Sequence, residues 1–245
     1  MKNILGVLAV GAMVFLASCK KESETFVTPQ ISDYAPLAVG KYITYQLDST
    51  VFYTNFGTTT EVFSYQVKHT VDAEVTDNLG RPAFRIIRSI RKNGSAAWVP
   101  DNTFMAVATS NSLEFVENNL RFIKLKLPIS NSYAWKGNAF IDTYSQFSTL
   151  RYLDDWDYVY DSLGTSLTLG NVILNNTVKV DQRNEVIGNP DDPTLYSEIN
   201  YGAENYALGI GLVYRRFFHI EYQPPTSGPG YKVGYGVTYT MIDHN

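Results

Sequence analysis

Over residues 63–75 apolar and polar side chains alternate without a break. Phe63, Tyr65, Val67, His69, Val71, Ala73 and Val75 share one face; Ser64, Gln66, Lys68, Thr70, Asp72 and Glu74 share the other. A period of two sustained that long is a strand buried on one side, not a helix. Such a strand needs antiparallel neighbours and a core to lie on. The chain has the material: 18 tyrosines, 13 phenylalanines and 3 tryptophans in 245 residues exclude a disordered polymer.

The neighbours follow in order. Asp77-Asn78-Leu79-Gly80-Arg81-Pro82 is turn chemistry, and residues 83–92 read as the partner strand. Asn93-Gly94 is a hairpin signal, because both residues accept positive φ. It leads to a short strand through Trp98 that Pro100 should stop. Residues 113–117 and 120–126 flank a second two-residue turn, Asn118-Asn119. Residues 156–161, 172–181 and 195–200 are further strands, and 210–222 and 231–242 form a hairpin around a Pro/Gly-rich turn. In that last strand Tyr231, Val233, Tyr235, Val237, Tyr239 and Met241 share a face, which predicts burial along it.

No segment carries a long stripe of period 3.6. Residues 139–150 and 201–208 each have room for a turn or two of helix, and 184–193 reads as a polar loop. The expected fold is mainly β: a single curved antiparallel sheet or (half-)barrel of many short strands, with one or two short helices at most. The strand period does not separate an open sheet from a closed barrel. Residues 34–245 read as a single β-rich domain.

The N-terminus has a different character. A basic start at Lys2 precedes an apolar run over residues 4–16, too short to span a bilayer and of the length of a signal-peptide core. It ends in Leu16-Ala17-Ser18-Cys19, and Cys19 is the only cysteine. These residues resemble a bacterial lipobox. The resemblance implies a signal peptide over residues 1–18, cleavage before Cys19, and lipidation of Cys19 with three acyl chains, palmitate-like in length. Two or more chains anchor a protein stably. Lys20 stands where Asp resembles an inner-membrane retention signal, which implies the outer membrane. Residues 20–24 resemble the charged export tag of Bacteroidota surface lipoproteins, but residues 19–33 are read here as a flexible, solvated tether.

The stretch Tyr34-Ala35-Pro36-Leu37-Ala38-Val39-Gly40, followed by an aromatic strand and Asp48-Ser49, resembles the opening of a large, uncharacterised group of Bacteroidota outer-membrane lipoproteins. Trp135-Lys136-Gly137-Asn138 after Leu127-Pro128, and residues 204–214, fit the same group. Ile43 stands where that group often has Trp. The phrase Tyr206-Ala207-Leu208-Gly209-Ile210-Gly211-Leu212-Val213 is similar to a late strand of LolA/LolB-like lipoproteins, which implies a curved sheet around an apolar cavity.

Few residues point to chemistry. His69 sits on the apolar face of its strand, and the turn at 77–82 should set Arg88 opposite it. The pair reads either as a handle for a ligand carboxylate or phosphate, or as a satisfied core histidine beside an arginine that reaches outward. The second reading is the simpler. Asp154-Asp155-Trp156-Asp157-Tyr158-Val159-Tyr160-Asp161 lacks the spacing of a calcium loop and reads as a strand with its rings inward. Neither Gly-x-Ser-x-Gly nor His-Glu-x-x-His occurs, and Gly209-Ile210-Gly211 lacks the third glycine of a dinucleotide loop. No catalytic residue, metal site or cofactor is therefore expected. Arg81, Arg85, Arg88, Arg91 and Lys92 read as a solvated sheet face. A net charge of −4 argues against nucleic acid as a partner.

The expected function is that of a non-enzymatic envelope lipoprotein binding or carrying an apolar or lipid ligand, or serving as a partner of an envelope protein complex. The alternative is a surface carbohydrate-binding or adhesion module, read from the abundant tyrosines. A hydrolase would need His69 or His219 beside both a carboxylate and a nucleophile.

Overall fold

The structure is a computed structural model and describes residues 28–53, 57–92 and 94–245. The leader, Cys19, residues 20–27 of the tether and Asn93 of the expected hairpin turn lie outside the described residues.

A single turn of helix, α1 (Ile31–Tyr34), opens the fold and buries Ile31 and Tyr34. Among the described residues twelve strands follow: β1 (Tyr42–Phe52), β2 (Thr60–Thr76), β3 (Pro82–Arg91), β4 (Val99–Ala108), β5 (Ser112–Glu117), β6 (Leu120–Lys126), β7 (Ala134–Lys136), β8 (Asp157–Leu169), β9 (Val172–Gly188), β10 (Ser197–Ala207), β11 (Gly211–Gln223) and β12 (Tyr231–His244). They form one antiparallel sheet in the order β6-β5-β4-β3-β2-β1-β12-β11-β10-β9-β8-β7. Two six-stranded meanders are thus joined where the first strand pairs with the last, from Ile43↔His244 to Val51↔Tyr235.

The sheet curls until its two edges, β6 and β7, nearly meet, which leaves a barrel with one seam. A few hydrogen bonds bridge that seam. Ile123 N–H donates to the Gly137 carbonyl at 2.8 Å, and Trp135 Nε1 donates to the Ile123 carbonyl at 2.7 Å. The Tyr160 hydroxyl accepts the Lys126 N–H at 2.8 Å and donates to the Lys126 carbonyl at 2.9 Å. Unpaired edges invite association with other chains; here the two edges occupy each other.

Local chemistry explains the connections. The buried Asp77 carboxylate accepts the N–H groups of Leu79 and Arg81, both at 2.9 Å, and so holds the β2–β3 turn. Asn118 and Asn119 both take positive φ, 51° and 63°, as a two-residue hairpin turn requires. In the aspartate-rich stretch Trp156, Tyr158 and Tyr160 are buried while Asp155, Asp157 and Asp161 are exposed.

Several expectations are corrected. Pro100 does not stop a strand: it lies near the start of β4, opposite Ser89 at a register shift, where its missing N–H is tolerated. Residues 201–207 continue β10 and contain no helix, because they pair on both sides, with β9 and β11. Residues 184–188 belong to β9. Residues 139–150 form turns, and the only regular turn nearby is a 3₁₀ turn over Arg151–Leu153. In β12 burial holds at Tyr239 and Met241 but is lost toward the hairpin, where Tyr235 and Tyr231 are exposed. The same end of the barrel exposes Phe63 on β2, so the alternation that marks this strand is half-buried only from Tyr65 onward.

Candidate functional site

Among the described residues, inward-facing side chains fill much of the lumen, and two cavities lie beside its charged side chains. The first, of about 120 Å³, lies at the end of the barrel covered by α1 and the segment after it. Its walls are mostly apolar: aliphatic at Leu37, Ile43, Val71, Ile86, Leu113 and Leu212, and aromatic at Tyr34, Tyr45 and Phe115. The covering segment is held by the Gly209 N–H, which donates to the Asp33 carbonyl at 2.7 Å, and by the Gly40 N–H on the Val71 carbonyl at 2.9 Å. The second cavity, of about 150 Å³, lies toward the other end among Arg88, Asn118, Trp156, Gln182 and Phe217.

Between them stand four charged side chains from four strands: Glu117 (β5), Lys124 (β6), Glu204 (β10) and Arg215 (β11). Glu117, Lys124 and Arg215 border both cavities. Lys124 Nζ lies 2.7 Å from Glu204 Oε1 and 4.0 Å from Glu117 Oε1. Arg215 grips Glu117 with two nitrogens, at 2.9 and 2.8 Å, and its Nε lies 3.6 Å from Glu204 Oε1. The Tyr206 hydroxyl donates to Glu204 Oε2 at 2.6 Å. Glu204 is fully buried.

Burial by itself would protonate these carboxyls; the two cations reverse that. Glu117 is held down to about 2 by Arg215 and Lys124 against the cost of its burial. Glu204 is likewise lowered by Lys124 and Arg215. Burial works against the charge on Arg215, but Glu117 and Glu204 hold it above its ordinary value. The cluster is therefore two cations and two anions with zero net charge.

The structure brings His69 and Arg88 opposite one another in the β2–β3 ladder. They border different cavities, His69 the first and Arg88 the second. Arg88 is committed to Asp101 through Nε at 2.9 Å and a terminal nitrogen at 2.7 Å, and also donates to the Tyr239 hydroxyl at 3.2 Å. His69 packs among Tyr45, Phe104 and Tyr239, with ring centroids 5.1–5.8 Å away. Its Nε2 is buried without a hydrogen-bond partner. Burial, then the charge of Arg88, lowers it to about 3, so the ring is neutral.

Three more arginines of the stretch also find partners. Arg81 pairs with Asp77 and Glu114, Arg85 with Asp72, and Arg91 bonds Gln66 and stacks over Trp98. His219 Nδ1 lies 2.8 Å from the Asn200 amide oxygen, and its ring stacks on Tyr152 at 3.8 Å. Among the described residues no group of His, Cys, Asp or Glu is placed to hold a metal ion, and no helix is long and apolar enough to cross a membrane.

Reasoning from sequence alone did not find the four-charge cluster. The available signal was a charge in the inward phase of an apolar strand: Lys124 follows Phe122, and Arg215 lies between Val213 and Phe217. Fold and site together define a nearly closed, twelve-stranded antiparallel barrel with an apolar cavity above a buried charged floor. Neither a model of a known protein family nor a curated protein sequence matches the chain.

Proposed function

We propose that the protein is a non-enzymatic binding protein of the bacterial cell envelope, anchored in the outer membrane through lipid on Cys19. It takes a small apolar molecule, or the end of an acyl chain, into the cavity under its N-terminal segment. One observation carries this reading: a largely apolar cavity at the end of the barrel, bordered by the segment around Tyr34–Leu37. An apolar cavity of about 150 Å³ holds one benzene-sized molecule. The cavity of about 120 Å³ therefore suits a small ligand or a chain end, not a whole two-chain lipid.

The test is native mass spectrometry of the protein purified from its own membrane. A bound mass that leaves on organic extraction is expected, and Ala106→Phe, which fills the cavity wall, should abolish it. An unaltered mass in Ala106→Phe would overturn the assignment to this cavity. For the anchor, the N-terminal peptide should carry three acyl chains on Cys19, and Cys19→Ser should leave the membrane fraction.

The glycan-module reading is supported by a different feature. Phe140, Tyr144 and Phe147 are 57 %, 68 % and 88 % exposed on one loop. Glycan binding lost on Tyr144→Ala and Phe147→Ala, with the cavity variant unaffected, would favour it.

A further inference from the structure

We infer that the ligand of the α1-side cavity is an uncharged amphiphile: an apolar body against the aliphatic wall and an acceptor oxygen, such as an ester or ketone carbonyl, at Lys124. This rests on the cavity reading above and names the chemistry that the cavity selects.

Charges, donors and acceptors at the cavity floor set this preference. Glu117 and Glu204 cancel Lys124 and Arg215, so an ionised head group would add an uncompensated charge inside the barrel. A buried charge without a partner is costly. A carboxylate would face Glu117 and Glu204; an ammonium would face Lys124 and Arg215.

Acceptors and donors are not balanced in the same way. All four carboxylate oxygens already have a donor within hydrogen-bond distance: Arg215 for both oxygens of Glu117, Lys124 and Tyr206 for those of Glu204. The donors are in surplus. An ammonium has three N–H bonds, and Lys124 has one short partner, with its next carboxylate at 4.0 Å. Arg215 Nε is buried without a hydrogen-bond partner. The floor thus has donors to spare while its charges are balanced. Lys124 is only 4 % exposed and borders the cavity, so a ligand seated there can present an acceptor to it.

The experiment compares three short probes on the whole mature protein by calorimetry at pH 8: methyl butanoate, butanoate and butylamine. At that pH the last two are charged. Methyl butanoate should bind at least about tenfold tighter than either, since a charge buried without a compensating partner is costly. Butanoate binding as tightly as the ester would overturn the inference and leave the cavity reading standing. Failure of all three to bind would overturn the cavity reading itself.

Glu204→Gln removes one anion from the cluster and should shrink the discrimination against butanoate to less than about threefold, because the added carboxylate then restores the balance. Glu117→Gln makes the same change from another strand and serves if the first variant does not fold. An unchanged preference for the ester in a folded variant would overturn the inference.

Discussion

Lys124 on β6 and Glu204 on β10 meet across the lumen at 2.7 Å, 4 % and 0 % exposed, though 80 residues separate them. They lie on opposite halves of the sheet, so their contact exists only because the sheet curls. Removing Lys124 leaves the buried Glu204 with the Tyr206 hydroxyl and, at 3.6 Å, Arg215 Nε as its remaining partners. Lys124→Met should lower stability by about 3 kcal/mol, and the double variant with Glu204→Leu should regain more than half of it. Urea unfolding of the two variants checks this; equal loss in both would show that the pair contributes through packing alone.

The seam should be sensitive to one hydroxyl. Tyr160→Phe removes both bonds to the Lys126 backbone and should cost about 2 kcal/mol, at about 1 kcal/mol per bond. Hydrogen exchange at the Lys126 amide should speed up more than at amides of β11, far from the seam.

Acid should weaken the fold in two stages. His69 titrates at about 3 in the folded chain, below its ordinary 6.5. Between those values the unfolded chain binds a proton that the folded chain refuses, so stability falls as pH drops from 6.5, by at most about 1.4 kcal/mol per pH unit. Glu117, lowered to about 2 from 4.5, stabilises fully above 4.5 and loses that contribution as pH falls toward 2. Thermal unfolding of His69→Gln across pH 6.5 to 4.5 should show a shallower slope than the parent. His219, also lowered by burial, keeps part of that slope.

The β2–β3 turn depends on Asp77. Besides the Leu79 and Arg81 N–H groups, its Oδ2 accepts the Arg81 guanidinium at 2.9 and 2.8 Å. Burial works against the Asp77 charge, yet the Arg81 and Leu79 bonds hold the carboxyl down to about 2. Asp77→Ala should cost about 2 kcal/mol by stranding these donors, read as a lower urea midpoint. Asp77→Asn should recover the turn in part without the ion pair.

The strands that repeat one turn chemistry were legible beforehand. The alternation in β2, the Asp77–Pro82 turn and the paired asparagines at 118–119 placed β2, β3, β5 and β6 close to their observed limits. The misreadings share a cause. Residues 201–207 and 184–188 look polar or small in isolation, but each finds strand partners, and pairing overrides weak local preference. The opposition of His69 and Arg88 was legible only in part: the turn alone would set Ser89 opposite His69, and a bulge at Asp72 shifts the ladder by one residue to bring Arg88 there.

What the sequence by itself determined is the set of local choices: where the chain alternates, where it turns, and which face of each strand is apolar. These depend on neighbours a few residues apart. Closure of the sheet, the two cavities and the four-charge floor were decided only by the tertiary structure. Glu117, Lys124, Glu204 and Arg215 come from strands on both halves of the molecule. Each reads alone as an ordinary charged residue in a strand; curling brings them within a few ångströms and excludes the water that would otherwise solvate them separately.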